Sequence, residues 1–288
     1  MKEILGLSSV KDHFDGFILD LWGLIHDGVR PYEGVVNTFA ELKKNNIKTV
    51  LLSNAPRRSE KLVSSMELMG INRGLYNEIY SSGEATWEEL IKRSDPFFSS
   101  LGKKVFHIGP DRDNSILEQT DIVKVKDLVH ADFILNTGPS LFTHTLDDYE
   151  LVLRQSMKIK LPMVCANPDE VVIRDGKKVI CAGLIAKRYS ELGGKVVYRG
   201  KPDPRIYELS MEKLNCLDKD RIAIIGDSLD TDIAGAKASG IKSIWCTGGI
   251  HAKELGVNYG APAKLDLAKK LAGQNNLKPW SIIPGFYW

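Results

Sequence analysis

Three short apolar runs, each closed by a polar residue, limit what this chain can fold into: GFILD (16–20), TVLLSN (49–54) and IAIIGD (222–227). Unbroken apolar runs of this length suit strands buried on both faces, and such strands belong to parallel sheets covered by helices. Helical spacing fills the intervals. In EGVVNTFAELKKNN (33–46), Val35, Val36, Phe39 and Leu42 share one face. Ser59 suits the cap of a helix that runs to Met69 and closes at Gly70, EIYSS (78–82) reads as a further strand, and RGKPDP (199–204) leads into a helix to about Leu214. TDIAGAKASG (231–240) is a small-residue helix closed by Gly240, and IKSIWCTGG (241–249) returns to strand and loop. This alternation predicts an α/β fold, a doubly wound parallel sheet with right-handed crossovers, which binds ligands beyond the carboxyl ends of its strands.

Between residues 84 and 190 the pattern repeats. KVFHIG (104–109), DFILNTG (132–138) and PMVCAN (162–167) are strand-like, a helix is expected around Asp147 to Met157, and VVIRDGKKVICAG (171–183) reads as a hairpin turning at Asp175-Gly176. The expected organisation is a core domain of 1–83 and 191–288 with an inserted α/β domain of 84–190. Composition narrows the function classes: at 288 residues, 43% hydrophobic and 26% charged, the chain is neither disordered nor collagenous. Lys plus Arg at 39 against Asp plus Glu at 37 leaves +2, which gives no support to a nucleic-acid partner. Cys165, Cys181, Cys216 and Cys246 form no C-x-x-C pair, so a reduced, cytoplasmic setting is expected rather than a zinc knuckle. Nothing approaches the roughly 20 apolar residues that cross a bilayer, and no export signal or membrane partner is expected. The aromatic stretch from Trp280 to Trp288 suits packing within the chain or against a neighbour, and leaves the oligomeric state open.

Convergence of the three strand ends sets Asp20 against Asp227, and two such carboxylates repel unless a cation lies between them. A hard divalent ion, Mg²⁺ above all, neutralises the pair and keeps positions for water and a phosphate oxygen. Ser53 and Asn54 offer neutral donors to that phosphate, and Lys201 in RGKPDP offers a point charge.

On these residues the chain resembles the haloacid dehalogenase (HAD) superfamily of phosphatases and phosphotransferases. Asp20 in FILDLWG resembles the first motif's nucleophile, Ser53 in LLSN the second motif's hydroxyl, Lys201 in GKP the third motif, and GDSLDTDIAGA (226–236) the acidic fourth. The long insertion, with SSGEAT (81–86) before it and ANPD (166–169) inside it, is similar to the class IIA, NagD-like branch, whose α/β cap covers the active site. The resemblance implies a Rossmann-like core with an inserted cap, and hydrolysis of a small phosphorylated metabolite through an aspartyl-phosphate on Asp20. It further implies Mg²⁺ held by Asp20, the backbone carbonyl of Trp22 and Asp227, with Asp232 supporting the water shell or Lys201.

One position departs from the family's pattern. Most phosphatases of the superfamily carry an aspartate two residues after the nucleophile, as general acid and then base; here that position is Trp22, whose indole exchanges no proton near neutral pH. A backbone carbonyl survives the change. Loss of general acid–base help costs roughly 10²- to 10⁴-fold, which favours acyl or aryl phosphates over alkyl ones, while the NagD-like resemblance favours sugar phosphates. His26 is a candidate replacement acid or a backbone-binding turn residue, and Asp27, before Gly28, has a similar pair of readings. Asp230 can cap the helix at Thr231, leaving Asp232 to face the metal. GGIH (248–251) is read as a turn rather than a phosphate nest. Asn167, Asp169 and Arg174 can contact a leaving group or form hairpin surface, and Arg57 and Arg58 can bind an anionic tail or face solvent. The rival functions are a catalytically silent binder of a phosphorylated metabolite or partner, kept open by Trp22, and a metal-free hydrolase using Asp20 on carbon, against which Asp227 and Asp232 argue.

Overall fold

Every residue of Gly16–Leu19 and of Ile222–Gly226 is buried, as strands enclosed on both faces require. The computed structural model describes residues 1–174, 177–215 and 218–288; the expected turn at Asp175-Gly176, and Cys216, lie outside them. In chain order the described strands are β1 (Lys2–Glu3), β2 (Gly16–Leu19), β3 (Lys48–Ser53), β4 (Glu78–Ser81), β5 (Lys104–Ile108), β6 (Val123–Val125), β7 (Phe133–Asn136), β8 (Met163–Cys165), β9 (Val171–Arg174), β10 (Lys177–Ile180), β11 (Val196–Tyr198), β12 (Ile222–Gly226), β13 (Lys242–Cys246) and β14 (Ser281–Ile283). The fold is α/β and Rossmann-like, and the chain divides into two units. The first comprises Met1–Ser53, Leu62–Tyr80 and Lys201–Trp288, and the second Asn54–Lys61 and Ser81–Gly200.

In the first unit the sheet order is β1-β14-β13-β12-β2-β3-β4. Its centre is parallel: β2 lies between β3 and β12, with Leu19 in register with Leu51 on one side and with Ile225 on the other. Helix Val35–Lys44 buries Val35, Thr38, Phe39 and Leu42, an i, i+3, i+4, i+7 stripe. Val36, expected on that face, is 43% exposed. Thr38 takes the inward place because its hydroxyl bonds to the carbonyls of Gly34 and Phe286, both at 3.0 Å. Ser59 is the first residue of helix Ser59–Leu68 rather than its cap. Helix Leu265–Gln274 and the two-residue β1 were not anticipated from the sequence. The aromatic tail packs within this unit: β14 pairs with β13, Phe286 packs on Phe39 at 5.1 Å, and Tyr287 meets Tyr259 edge-on at 6.1 Å.

The second unit has its own parallel sheet, ordered β11-β8-β7-β5-β6, and an antiparallel hairpin of β9 and β10. Its last strand corrects the boundary expected at 190/191. Val196–Tyr198 pairs with Met163–Cys165, and Arg199 N donates to Cys165 O at 3.0 Å, so backbone bonding carries the second unit to Gly200. Tyr189 and Leu153 fill one side of the sheet, and Phe98 and Ile116 the other. Cys165, Cys181 and Cys246 are buried free thiols, and burial pushes Cys165 up to about 12. No described helix is long and apolar enough to cross a membrane.

Candidate active site

Strand register alone brings the acids of the first unit together. Because Leu19 and Ile225 are paired, Asp20 and Asp227 each follow one residue beyond the ends of neighbouring strands, and Asp20 N donates to Ile225 O at 2.9 Å. The turn after β12 adds Asp232: it takes a π-type winding over Leu229–Ile233, capped by Ser228, that puts Asp232 inside and leaves Asp230 exposed. Ser228, not Asp230, is therefore the cap. The outcome is a buried triad, with one carboxylate oxygen each from Asp20, Asp227 and Asp232 within 4.8 Å of one another.

Lys201 lies among these acids, 3% exposed, its Nζ 2.5 Å from Asp20 Oδ1 and 2.7 Å from Asp232 Oδ1. One cation against three acids leaves the cluster negative. Asp227 records the surplus: burial first, then Asp20 and Asp232, push its carboxyl well above the usual range, while the Ile250 N–H donating to Oδ2 at 2.6 Å and the charge of Lys201 pull the other way. Carboxylate oxygens gathered at this spacing with uncompensated charge are the donor set a hard divalent cation requires, so the residues fit a divalent metal. Ser53 ends β3, half-buried.

Two glycines hold the backbone against Asp227. A Cβ on Gly23, where φ is +85°, would come within 1.9 Å of Asp227 Oδ2, and one on Gly249 within 2.1 Å. The GGIH turn thus backs a carboxylate with its own glycine and N–H. That role was missed in the sequence, where the signal was only a pair of glycines after a strand.

The loop from Asp20 to Pro31 is braced rather than open. Tyr259 donates to Leu24 O at 2.6 Å. The Trp22 indole meets His26 edge-on at 5.6 Å and lies so close to Gly28 that a Cβ there would approach within 2.3 Å of the ring. His26 is buried, its Nδ1 accepts from Gly28 N at 3.1 Å, and burial lowers it to about 4. Asp27 Oδ1 accepts from Val29 N and Arg30 N, both at 2.8 Å. Both residues serve the turn, the plainer of the two readings made for each.

Asn54 belongs to the second unit, where its amide donates to Asp169 Oδ1 at 2.8 Å; Asn167 in turn accepts from Asp169 N at 3.0 Å. SSGEAT is a clamp on the segment after β3. Ser81 caps helix Ser82–Lys92 and donates to Arg57 O at 2.5 Å, and a Cβ on Gly83 would come within 2.2 Å of Arg57 N. Glu84 accepts from Ser59 N and from Arg58 Nε, both at 2.8 Å, and Arg58 lies over Trp87 at 3.4 Å. The Arg58 side chain is committed to this clamp, whereas Arg57 enters it through its backbone alone.

Two family models match the chain: haloacid dehalogenase-like hydrolase over residues 17–123, and HAD-hydrolase-like over residues 198–272. An acid sugar phosphatase of Staphylococcus saprophyticus is 25% identical over 245 residues, 84% of this chain and 90% of that protein. A solved haloacid dehalogenase-like hydrolase of Brucella suis superimposes with a TM-score of 0.84 at 26% identity, covering 98% of this chain and 99% of that one. The p-nitrophenyl phosphatase of Archaeoglobus fulgidus shares the fold, with a TM-score of 0.71 at 23% identity over 94% of this chain and 96% of that one.

Proposed function

We propose that this chain, which belongs to the haloacid dehalogenase superfamily as a phosphatase of its class IIA branch, is Mg²⁺-dependent and hydrolyses a small phosphorylated metabolite of the sugar-phosphate kind in two steps on Asp20. One observation carries the reading: Asp20, Asp227 and Asp232 lie within 4.8 Å of one another, with Lys201 bonded to the first and last. The sugar-phosphate class is supported by the name of the staphylococcal relative.

Asp20, Asp227 and the carbonyl of Trp22 would hold the ion, which when bound offsets negative charge on the phosphate and on the attacking carboxylate. Lys201 bonds to Asp20 through Oδ1 and so orients the carboxylate that attacks phosphorus. As that bond forms the ester P–O bond breaks, and the leaving oxygen takes its proton from water, because Trp22 has none to give. Water then displaces Asp20 from phosphorus, phosphate departs and the carboxylate is regenerated. Ser53 donates its hydroxyl to a phosphate oxygen, with Lys201 supplying positive charge; Asn54 is left out of the phosphate set because its amide is engaged with Asp169. Asp232 positions Lys201.

Asp20→Asn keeps the shape of the side chain and removes the nucleophile. Release of p-nitrophenolate from p-nitrophenyl phosphate with Mg²⁺ should fall by at least about 10³-fold in that variant, and turnover within a few-fold of the unaltered protein would overturn the assignment.

A further inference from the structure

The second unit has its own reversal of strand order, and the charge gathered near it is opposite in sign to that of the acid triad. Its chain enters at β5, passes to β6 on one side, then crosses to β7 on the other and continues outward to β8 and β11. The strand order therefore reverses between β5 and β7, the place where open α/β sheets bind ligands. At those two ends His107 Nε2 lies 2.8 Å from Thr137 Oγ1, and the Gly109 backbone packs closely on this pair, since a Cβ there would come within 1.9 Å of Thr137 Oγ1.

Just beyond these ends stand three arginines around one carboxylate. Asp113 is 2% exposed; its Oδ1 is 3.2 Å from Arg57 Nε and 3.8 Å from Arg112 Nε. Arg112 and Arg174 both face the ring of Phe142, at 4.6 and 4.4 Å, and Phe142 is 43% exposed. Arg57 Nε and Asp113 Oδ1 are each buried without a hydrogen bond of proper geometry. Among the described residues, then, three guanidinium groups are offset by a single carboxylate, and the buried Arg57 Nε is a donor that an anion's oxygen would satisfy. Both Arg112 and Arg174 add to the burial that lowers the Arg57 guanidinium, which places all three within electrostatic reach of one another.

We propose that Arg57, Arg112 and Arg174 form an anion-binding site that takes a carboxylate or phosphate group through bidentate guanidinium bonds, with Phe142 contacting the attached carbon chain. The anion is a free carboxylate or phosphate compound bound by the second unit itself, so the inference stands apart from the phosphatase reading.

The measurement needs no turnover. Calorimetric titration of malonate into the Asp20→Asn protein should show binding that Arg112→Gln/Arg174→Gln weakens at least tenfold, that Arg112→Lys/Arg174→Lys partly restores, and that Arg205→Gln, an exposed arginine of helix Pro204–Leu214, leaves alone. Equal malonate affinity in the Gln/Gln variant and its parent, both with unchanged melting temperatures, overturns the site whether or not the chain is a phosphatase.

Discussion

Replacing Trp22 with aspartate restores a proton donor at the position where the sequence lacks one, and the effect can be worked out before the experiment. General acid help is typically worth roughly 10²- to 10⁴-fold, about 3–5 kcal/mol of barrier. It is worth most where the leaving group is a poor one, an alkoxide, and least where it is p-nitrophenolate, which departs unprotonated. The ratio of kcat/KM for glycerol 3-phosphate to that for p-nitrophenyl phosphate should therefore rise by about 10²-fold or more in Trp22→Asp. A stability cost accompanies the change. The indole is half-buried against His26 and Gly28, and since loss of a fully buried Trp costs about 3–5 kcal/mol, roughly 2 kcal/mol is expected here.

Trp22→Asn removes the same ring and supplies no acid, so it is the reference against which the aspartate is read. Initial rates of phosphate release would be measured for both substrates with Mg²⁺, below the melting temperature of the weaker variant. The new carboxyl must also hold its proton near neutral pH, and the neighbouring acids favour that, since Gly23 beside it touches Asp227. Equal substrate ratios in the Asp and Asn variants would refute the claim that proton donation is what Trp22 withholds.

Two further outcomes follow from the charge balance. Lys201→Met leaves the acid triad without its partner, so the melting temperature in EDTA should fall by an amount equivalent to about 3–5 kcal/mol, and Mg²⁺ should restore more stability to the variant than to the parent; an equal Mg²⁺ response in both proteins argues against a metal at the triad. His107, lowered to about 4 by burial and then by Lys124, remains neutral in the fold while the unfolded chain takes up a proton below the ordinary 6.5. Stability is thus intact above pH 6.5 and is lost as pH falls toward 4, by at most roughly 3 kcal/mol. Urea titrations of His107→Gln should show that part of the loss removed, whereas parallel pH curves for the two proteins would reject it. Asp113, raised to about 6 by burial despite Arg57 and Arg112, works in the opposite direction between pH 6 and 3.8 and is common to both proteins.

Strand-end chemistry was legible because it depends on register, and register follows from unbroken apolar runs. Once GFIL and IAII are neighbours, Asp20 and Asp227 have one place to go, and the TDIAGA spacing turns Asp232 rather than Asp230 inward. Side-chain partners set by distant segments were not legible in the same way. Nothing near Asn54 announces Asp169, 115 residues on, and nothing in VVY says that it pairs with MVC rather than with a strand of the first sheet. Val36 failed for a simpler reason: hydropathy gives an inward place to valine over threonine, and only the carbonyl of Phe286, 248 residues away from Thr38, reverses that preference.

Arg57 and Arg58 show the same limit more sharply, since adjacent identical residues give the sequence no means of telling them apart. Helix geometry separates them. Arg58, next to the first turn of Ser59–Leu68, meets Glu84 at 2.8 Å and the face of Trp87, so its charge is matched and its plane covered. Arg57 meets an acid that burial already drives toward protonation, in the company of two more arginines. An uncompensated charge in a half-buried place costs free energy unless a ligand supplies the counter-charge. That cost is present at the acid triad with one sign and at the arginine cluster with the other. The first implies a cation and the second an anion, and stability should respond to each ion separately: Mg²⁺ acting through Asp20 and Asp227, malonate through Arg57, Arg112 and Arg174.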